Sequence, residues 1–348
     1  MTAPTTRFAL PPGSEATAPP ERRGTPRDRV RLLVARGREH PPGAVEHRRF
    51  DELDRLLEPG DLLVVNTSAT LPAALHARRA DGRPLAVHVS TTLDDGTWVI
   101  EPRRVDGPAR DVTAGDQLTL EGGVRLELVA PYPPAAAVTR LWRARATPPR
   151  RAPEYLAVHG RPIGYGYLAG AYPLADHQTV YATEPGSAEM PSAGRPFTDR
   201  LLVRLMAAGI TIAPVVLHAG VSSPEKHEPP TPERYTVPAP TARLVNGARA
   251  AGARVVAVGT TVVRALETAA RQGGAVVPAS GWTDLVLGPG RSARVVTGLV
   301  TGLHAPEASH LLLLEAVAGP ALVGEAYQAA VQRRYLWHEF GDSTLFLP

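Results

Sequence analysis

The spacing of hydrophobic positions changes twice along the chain. Residues 1–28 carry only scattered apolar positions among Pro, Thr and Arg, too few to order a segment by burial, so 1–26 is expected to be a poorly ordered arm. From Arg27 the pattern tightens. Arg31-Leu32-Leu33-Val34 predicts a strand, 50–57 a short helix, and Asp61-Leu62-Leu63-Val64-Val65-Asn66 a buried strand leaving the Pro59-Gly60 turn. Between 73 and 145 the apolar runs become short, at 85–90, 97–100, 117–120, 124–129 and 138–144. Several alternate apolar with polar, and turns such as Asp81-Gly82 and Gly122-Gly123 separate them. Short strands at such spacing predict an all-β sandwich or small barrel.

Beyond 153 the period lengthens again. Helices are expected at 198–208, 241–251, 260–271, 309–318 and 320–335, and strands at 210–217, 254–258, 284–287 and 293–300. This alternation predicts an α/β layer with a largely parallel sheet. The fold expected is therefore an α/β domain (27–72 and 153–348) with an inserted all-β, barrel-like domain (73–152).

Composition narrows the chemistry. Of 348 residues 43% are hydrophobic and 21% charged, which fits a folded globular chain and neither a fibrous repeat nor general disorder. No run approaches the ~18 apolar residues of a membrane span. The start lacks a basic region followed by an apolar stretch, so a cytoplasmic location is expected. With no Cys, disulfides, thiolate metal sites and cysteine nucleophiles are excluded. The net charge of +4 could mark a polyanionic partner, but Lys226 is the single lysine among 38 basic residues, and so lopsided a choice reads first as genomic base composition.

No Walker loop, HExxH helix or GxSxG elbow is present, and the 11 histidines form no ligand pair at helical spacing, so no metal is expected. Gly164-Tyr165-Gly166-Tyr167-Leu168-Ala169-Gly170 misses the dinucleotide-loop spacing by one residue and follows no strand, which leaves a glycine-rich tight loop. His218 and His304 each follow an apolar run at a strand end, where α/β proteins bind ligands and where satisfied structural histidines also occur. Gly259-Thr260-Thr261 joins a strand to a helix N-terminus. It is either a plain βα turn or a cradle for a carboxylate or phosphate. Arg264 and Glu267 share a face of that helix, as a solvated ion pair or with Glu267 orienting Arg264 toward substrate.

Several blocks resemble a known family. Asp176-His177-Gln178-Thr179-Val180-Tyr181-Ala182, Glu184-Pro185-Gly186, Ala193-Gly194, Phe197-Thr198, Leu217-His218 and Gly259-Thr260-Thr261 through Arg264 and Glu267 stand in its order. So do Gly281-Trp282-Thr283-Asp284-Leu285, Gly298-Leu299-Val300-Thr301, Leu303-His304, Ala326-Tyr327 and Gly341-Asp342. The chain is identified as a divergent member of the S-adenosylmethionine:tRNA ribosyltransferase-isomerase family of the queuosine pathway. The resemblance implies an active site in the cleft between the two domains, with Gln178, Thr179, Tyr181, Phe197, Thr198, His218, Gly259, Thr260, Thr261, Arg264, Glu267 and His304 binding substrate. It implies S-adenosylmethionine as substrate rather than as a bound cofactor. The ribosyl portion moves onto 7-aminomethyl-7-deazaguanine in tRNA, leaving epoxyqueuosine and releasing adenine and methionine. In the family view the substrate amine itself serves as the base, and no residue of the chain is named in a catalytic role.

The departures fall on polar positions. Ala69 and Ala74 stand where the family has arginines, Arg195-Pro196 where it has Leu-His, and residues 222–230 replace a loop with another arginine. Arginine's bidentate fork has no substitute in alanine. Weakened tRNA binding is therefore expected, unless the arginines at 140, 143, 145, 150 and 151 compensate, and a paralogue with a small acceptor or a non-catalytic binding protein are the alternatives.

Overall fold

The computed structural model describes residues 3–37, 45–134, 139–221 and 229–347. A nine-stranded sheet forms its larger part, in the order Ala279–Thr283, Glu233–Val237, Thr211–Leu217, Leu62–Asn66, Val255–Val258, Gly298–Gly302, Ser343–Leu347, Arg31–Arg36, Val45–Arg49. The four central strands are parallel, with Val64 in register with Ala213 on one side and Ala257 on the other. The flanking pairs are antiparallel except Arg31–Arg36 with Ser343–Leu347. The sheet is thus mixed rather than largely parallel.

Leu62–Asn66 is buried along its whole length, as a strand covered on both faces must be. Its residues alternate between two cores. Leu62 and Val64 join Leu33, Val255, Ala257 and Leu299 beneath the helices Ala239–Ala250, Thr260–Ala269, Ser309–Ala318 and Pro320–Gln332. Leu63 and Val65 join Leu32, Val256, Val258 and Val300 beneath Phe50–Arg55 and Asp199–Ala207. The period of two along each strand sorts the apolar residues between layers.

The inserted domain is a closed barrel. Ala74–Arg79, Pro84–Thr92, Trp98–Arg104, Leu141–Thr147, Arg125–Tyr132 and Gln117–Leu120 pair antiparallel in that circular order, and Gln117–Leu120 returns to Ala74–Arg79. Closure leaves these six strands no free edge. The helix Ala152–His159 plugs one end with Tyr155 and Leu156, which belong to the barrel core although the sequence pattern assigned them to the α/β part.

Two other expectations are corrected. The N-terminal segment is ordered: Ala16 is buried, its N–H donates to the Trp337 carbonyl at 3.1 Å, and Phe8 stacks on Trp337. The Thr6 amide and hydroxyl both donate to Glu315 Oε1, at 2.7 and 2.8 Å, so the arm gains burial and polar partners that its own composition does not supply. Residues 284–287 form no strand. Leu285 and Leu287 reach the core from a loop, and the neighbouring ladder is Ala279–Thr283. The short helix expected at 50–57 is a 3-10 helix over Phe50–Arg55.

Candidate functional site

Between the barrel and the carboxyl ends of the central parallel strands lies a cleft of about 500 Å³. Open α/β sheets bind their ligands at this edge, outside the carboxyl ends of the strands. On the α/β side, Val255–Val258 runs into Gly259, whose φ of +92° and ψ of 155° belong to a region open in practice only to glycine. That turn directs the first N–H groups of Thr260–Ala269 toward the cleft, and Thr260 and Thr261 line it. Asn66 secures the turn. Its Nδ2 donates to Thr261 Oγ1 at 3.2 Å and to the Leu217 carbonyl at 2.8 Å, while its Oδ1 accepts from the Leu217 and Ser68 amides.

One turn further, Arg264 is 6% exposed and lines the same wall. Its guanidinium is engaged throughout: by the Glu233 carboxylate, by the carbonyls of Thr283 (3.1 Å) and Leu285 (3.2 Å), and by that of Thr231 (3.3 Å). Glu233 in turn accepts the Gly220 amide at 2.8 Å. Arg264 therefore ties the 231–233 and 283–285 segments of the cleft wall to its own helix. Glu267 does not orient it. Glu267 points the other way, where its carboxylate accepts the amides of Arg294, Val295 and Val296 at 2.8–3.1 Å.

The barrel supplies His88, Arg103 and Arg140. Glu101, fully buried, bridges the two arginines at 2.5 and 2.8 Å, and Arg140 also donates to the Val221 carbonyl, joining the domains. Burial and the neighbouring Arg103 push His88 down to about 4, so its imidazole is neutral at pH 7. Across the cleft His304 Nε2 meets Thr301 Oγ1 at 3.0 Å, and its ring stacks on His310 at 4.5 Å. Burial lowers both imidazoles, His310 to about 4. The cleft's histidines are thus hydrogen-bonding groups, not cations.

The remaining wall comes from segments the sequence reading left without a role. Tyr165 stacks on Tyr167 (5.6 Å), Tyr167 stacks on His338 (4.6 Å), and Glu189 and Glu339 sit beside them. The available signal was a pair of tyrosines set between glycines, which serve no packing pattern. Among the described residues no group of three His, Cys, Asp or Glu could hold a metal ion.

Of the twelve residues singled out in the sequence, Gly259, Thr260, Thr261, Arg264 and His304 meet in the cleft. The others stand behind it. Gln178 bonds the Thr70 backbone through both amide atoms. Thr179 and Tyr181 pack against Gly194, where a Cβ would come within 2.1 Å of the Tyr181 hydroxyl, so only glycine lets that ring lie directly behind Ala193 of the cleft wall. Phe197 packs edge-on against Phe50 in the core. Thr198 caps Asp199–Ala207, accepting from the Leu201 amide and donating to Asp28. His218 Nδ1 lies 2.7 Å from Ser68 Oγ.

The family model described as a queuosine biosynthesis protein matches residues 5–346. The chain belongs to this queuosine biosynthesis family. The S-adenosylmethionine:tRNA ribosyltransferase-isomerase of Moorella thermoacetica is 39% identical over 348 residues, covering 98% of both chains. That of Thermotoga maritima is 36% identical over 352 residues, with 98% of both covered. The crystal structure of S-adenosylmethionine tRNA ribosyltransferase from Thermotoga maritima matches with a TM-score of 0.52 at 32% identity, over 97% of this chain and 98% of that one.

Within this queuosine biosynthesis fold the departures have local explanations. Arg195 is 2% exposed. It donates to Glu21 at 3.0 Å and to the Asp176 carbonyl at 2.8 Å and lies over the Phe340 ring, so it clamps the N-terminal segment. Pro196, beside it, is buried. Ala69 and Ala74 are half-buried in backbone pairings with Pro185 and with His88 and Arg161. Of the arginines that could compensate, Arg140 is held by Glu101, Arg143 by Asp95, Arg145 by Glu127 and Arg151 by Glu154. Most of the replaced loop, 222–228, lies outside the described residues.

Proposed function

We propose that the protein transfers the ribosyl portion of S-adenosylmethionine to 7-aminomethyl-7-deazaguanine in tRNA, releasing adenine and methionine and leaving the epoxycyclopentanediol of epoxyqueuosine. The observation that carries this reading is the cleft itself, walled by both domains and, at about 500 Å³, of a size to take a nucleoside and a modified base together. Full-length likeness to proteins of that name supports it. The sulfonium of S-adenosylmethionine acidifies the adjacent C5′ protons, so the protein's task is to orient two substrates and to stabilise developing charge.

In this reading Gly259, Thr260 and Thr261 offer amide and hydroxyl donors to the carboxylate or ribose, and neutral His304 donates or accepts beside them. Gln178, Thr179, Tyr181, Phe197, Thr198, His218, Arg264 and Glu267 hold the walls in place. The tRNA acceptor makes the location cytoplasmic. Among the described residues no helix is long and apolar enough to cross a membrane.

Following adenine release from S-adenosylmethionine by chromatography tests the proposal. Release that requires tRNA carrying the aminomethyl base is the expected result. Release with a small amine in place of tRNA, or binding with no release, would instead establish a small-acceptor enzyme or a non-catalytic binding protein.

A further inference from the structure

The wall of Tyr165, Tyr167, His338 and Glu339 carries chemistry that the assignments above leave unused. Three rings form a continuous ladder, with Tyr167 flanked by Tyr165 and His338 at interplanar angles of 12° and 18°. His338 holds a φ of +70°, a left-handed conformation uncommon outside glycine, of the kind that persists where surrounding structure enforces it. The residue so placed is followed at once by Glu339, whose Oε2 is shut off from solvent and has no hydrogen-bond partner, and which makes no ion pair among the described residues. The Tyr167 hydroxyl is likewise buried without a partner.

Elsewhere in the cleft the charges are matched. Arg103 and Arg140 share Glu101, and Arg264 has Glu233. The cleft therefore has an acidic group waiting for a donor beside aromatic surface, a combination that suits a flat base bearing a cation.

Resting on the proposed function, we infer that this wall is the acceptor subsite: the 7-aminomethyl-7-deazaguanine base lies against the Tyr165–Tyr167–His338 ladder and sets its primary ammonium on Glu339. S-Adenosylmethionine then occupies the adjoining wall, by Gly259, Thr261 and His304, the last near enough to His338 to feel its charge. Burial alone lifts the Glu339 carboxyl to about 7 in the free protein, so an arriving ammonium favours the carboxylate that receives it. Glu189, beside the Tyr165 hydroxyl, fixes that ring and adds negative potential to the same corner.

Two anticodon stem–loops that differ only in the wobble base, guanine or 7-aminomethyl-7-deazaguanine, test the assignment by fluorescence anisotropy, with S-adenosylmethionine affinity measured by calorimetry. The wild-type protein is expected to favour the modified loop by at least ~10-fold, the scale of one charge-assisted contact. Glu339→Gln should bring the two loops within about twofold of each other, leaving the affinities for the guanine loop and for S-adenosylmethionine within about twofold of wild type. Should Glu339→Gln fail to fold by circular dichroism, Glu339→Asp takes its place and should keep only part of the preference. A variant that retains the full preference overturns the inference, as does a tenfold loss of S-adenosylmethionine affinity, which would put the sulfonium at this wall. Adenine release by the wild-type protein separates the two levels. Release together with an unaltered preference in Glu339→Gln defeats the subsite alone, whereas no release and no preference defeats the reaction and the subsite together.

Discussion

Replacing Glu267 by alanine would remove the acceptor for three backbone amides at once. Val295 and Val296, two of the donors, are 0% and 4% exposed, so their N–H groups could not turn to water, while the amide of exposed Arg294 could. A buried donor left unsatisfied costs about 1–3 kcal/mol, which gives about 2–6 kcal/mol for Glu267→Ala. That is a large share of the ~5–15 kcal/mol that holds a typical domain folded. Glu267→Gln keeps an acceptor but loses the charge, and should cost about 1–2 kcal/mol. Urea unfolding followed by near-ultraviolet circular dichroism should therefore rank the midpoints wild type, Gln, Ala. Affinity for S-adenosylmethionine, measured on folded protein at low temperature, should stay within about twofold, because the carboxylate faces the 294–296 loop and not the cleft. An alanine variant within ~0.5 kcal/mol of wild type, or one that loses tenfold in affinity at unchanged stability, would refute this reasoning and restore Glu267 to the substrate.

Arg264→Lys should rescue Arg264→Ala only in part. A point charge can meet the Glu233 carboxylate but not three carbonyls as well, so Arg264→Ala should lose about 3–5 kcal/mol by leaving Glu233 without its partner and Arg264→Lys a smaller amount for the unserved carbonyls, read by the same urea titration. Gly259→Ala should cost about 1–3 kcal/mol of backbone strain and weaken S-adenosylmethionine binding in calorimetry, whereas Gly247→Ala, in a helix with open space around it, should do neither. Acidification should destabilise the fold. His88 and His310 drop from 6.5 to about 4 on folding, so the unfolded chain binds their protons first and about 2 kcal/mol per histidine is lost between pH 7 and 5. Glu339, raised to about 7, acts in the opposite sense and offsets roughly one of them, so Glu339→Gln should steepen the loss measured by urea midpoints at the two pH values. Binding of tRNA should show a slope of log affinity against log salt shallower than about −3, given alanine at 69 and 74, and a steeper slope with sub-micromolar affinity at physiological salt would contradict it.

The elements most legible in the sequence were those whose apolar pattern is local. Gln117–Leu120 and Ser309–Ala318 fall where alternation and helical spacing put them. Ser343–Leu347 and Glu233–Val237 were missed, because their burial comes from neighbours far along the chain and leaves no periodic trace. The N-terminal segment gives no sign of its order for the same reason: its partners, Glu315 and Trp337, are some three hundred residues away. At the site, glycine and threonine at the Val255–Val258 strand end were visible because a βα turn has its own chemistry. Glu339 was not, since a carboxylate gains its meaning only when folding buries it. The pairing of Arg264 with Glu233 rather than Glu267 shows the limit of helical spacing, which says which side chains share a face and not what that face meets.

The barrel leaves and rejoins the larger domain at a single point. Ala73 and Ala74 bridge to Arg161, and the amides of Ala74 and Arg161 each donate to the other's carbonyl, at 2.8 and 2.9 Å. An insertion whose two strands of connection lie side by side can be lifted out with a linker of a few residues, because the host never has to close a wide gap. The α/β part would keep its sheet, its helices and the Gly259 turn, and would lose only the wall that carries His88, Arg103 and Arg140. Such a graft point lets the barrel wall of the cleft be exchanged while the Gly259 turn and the Tyr165–Tyr167–His338 ladder stay fixed, a route by which a single scaffold changes what reaches its cleft without refolding the part that binds.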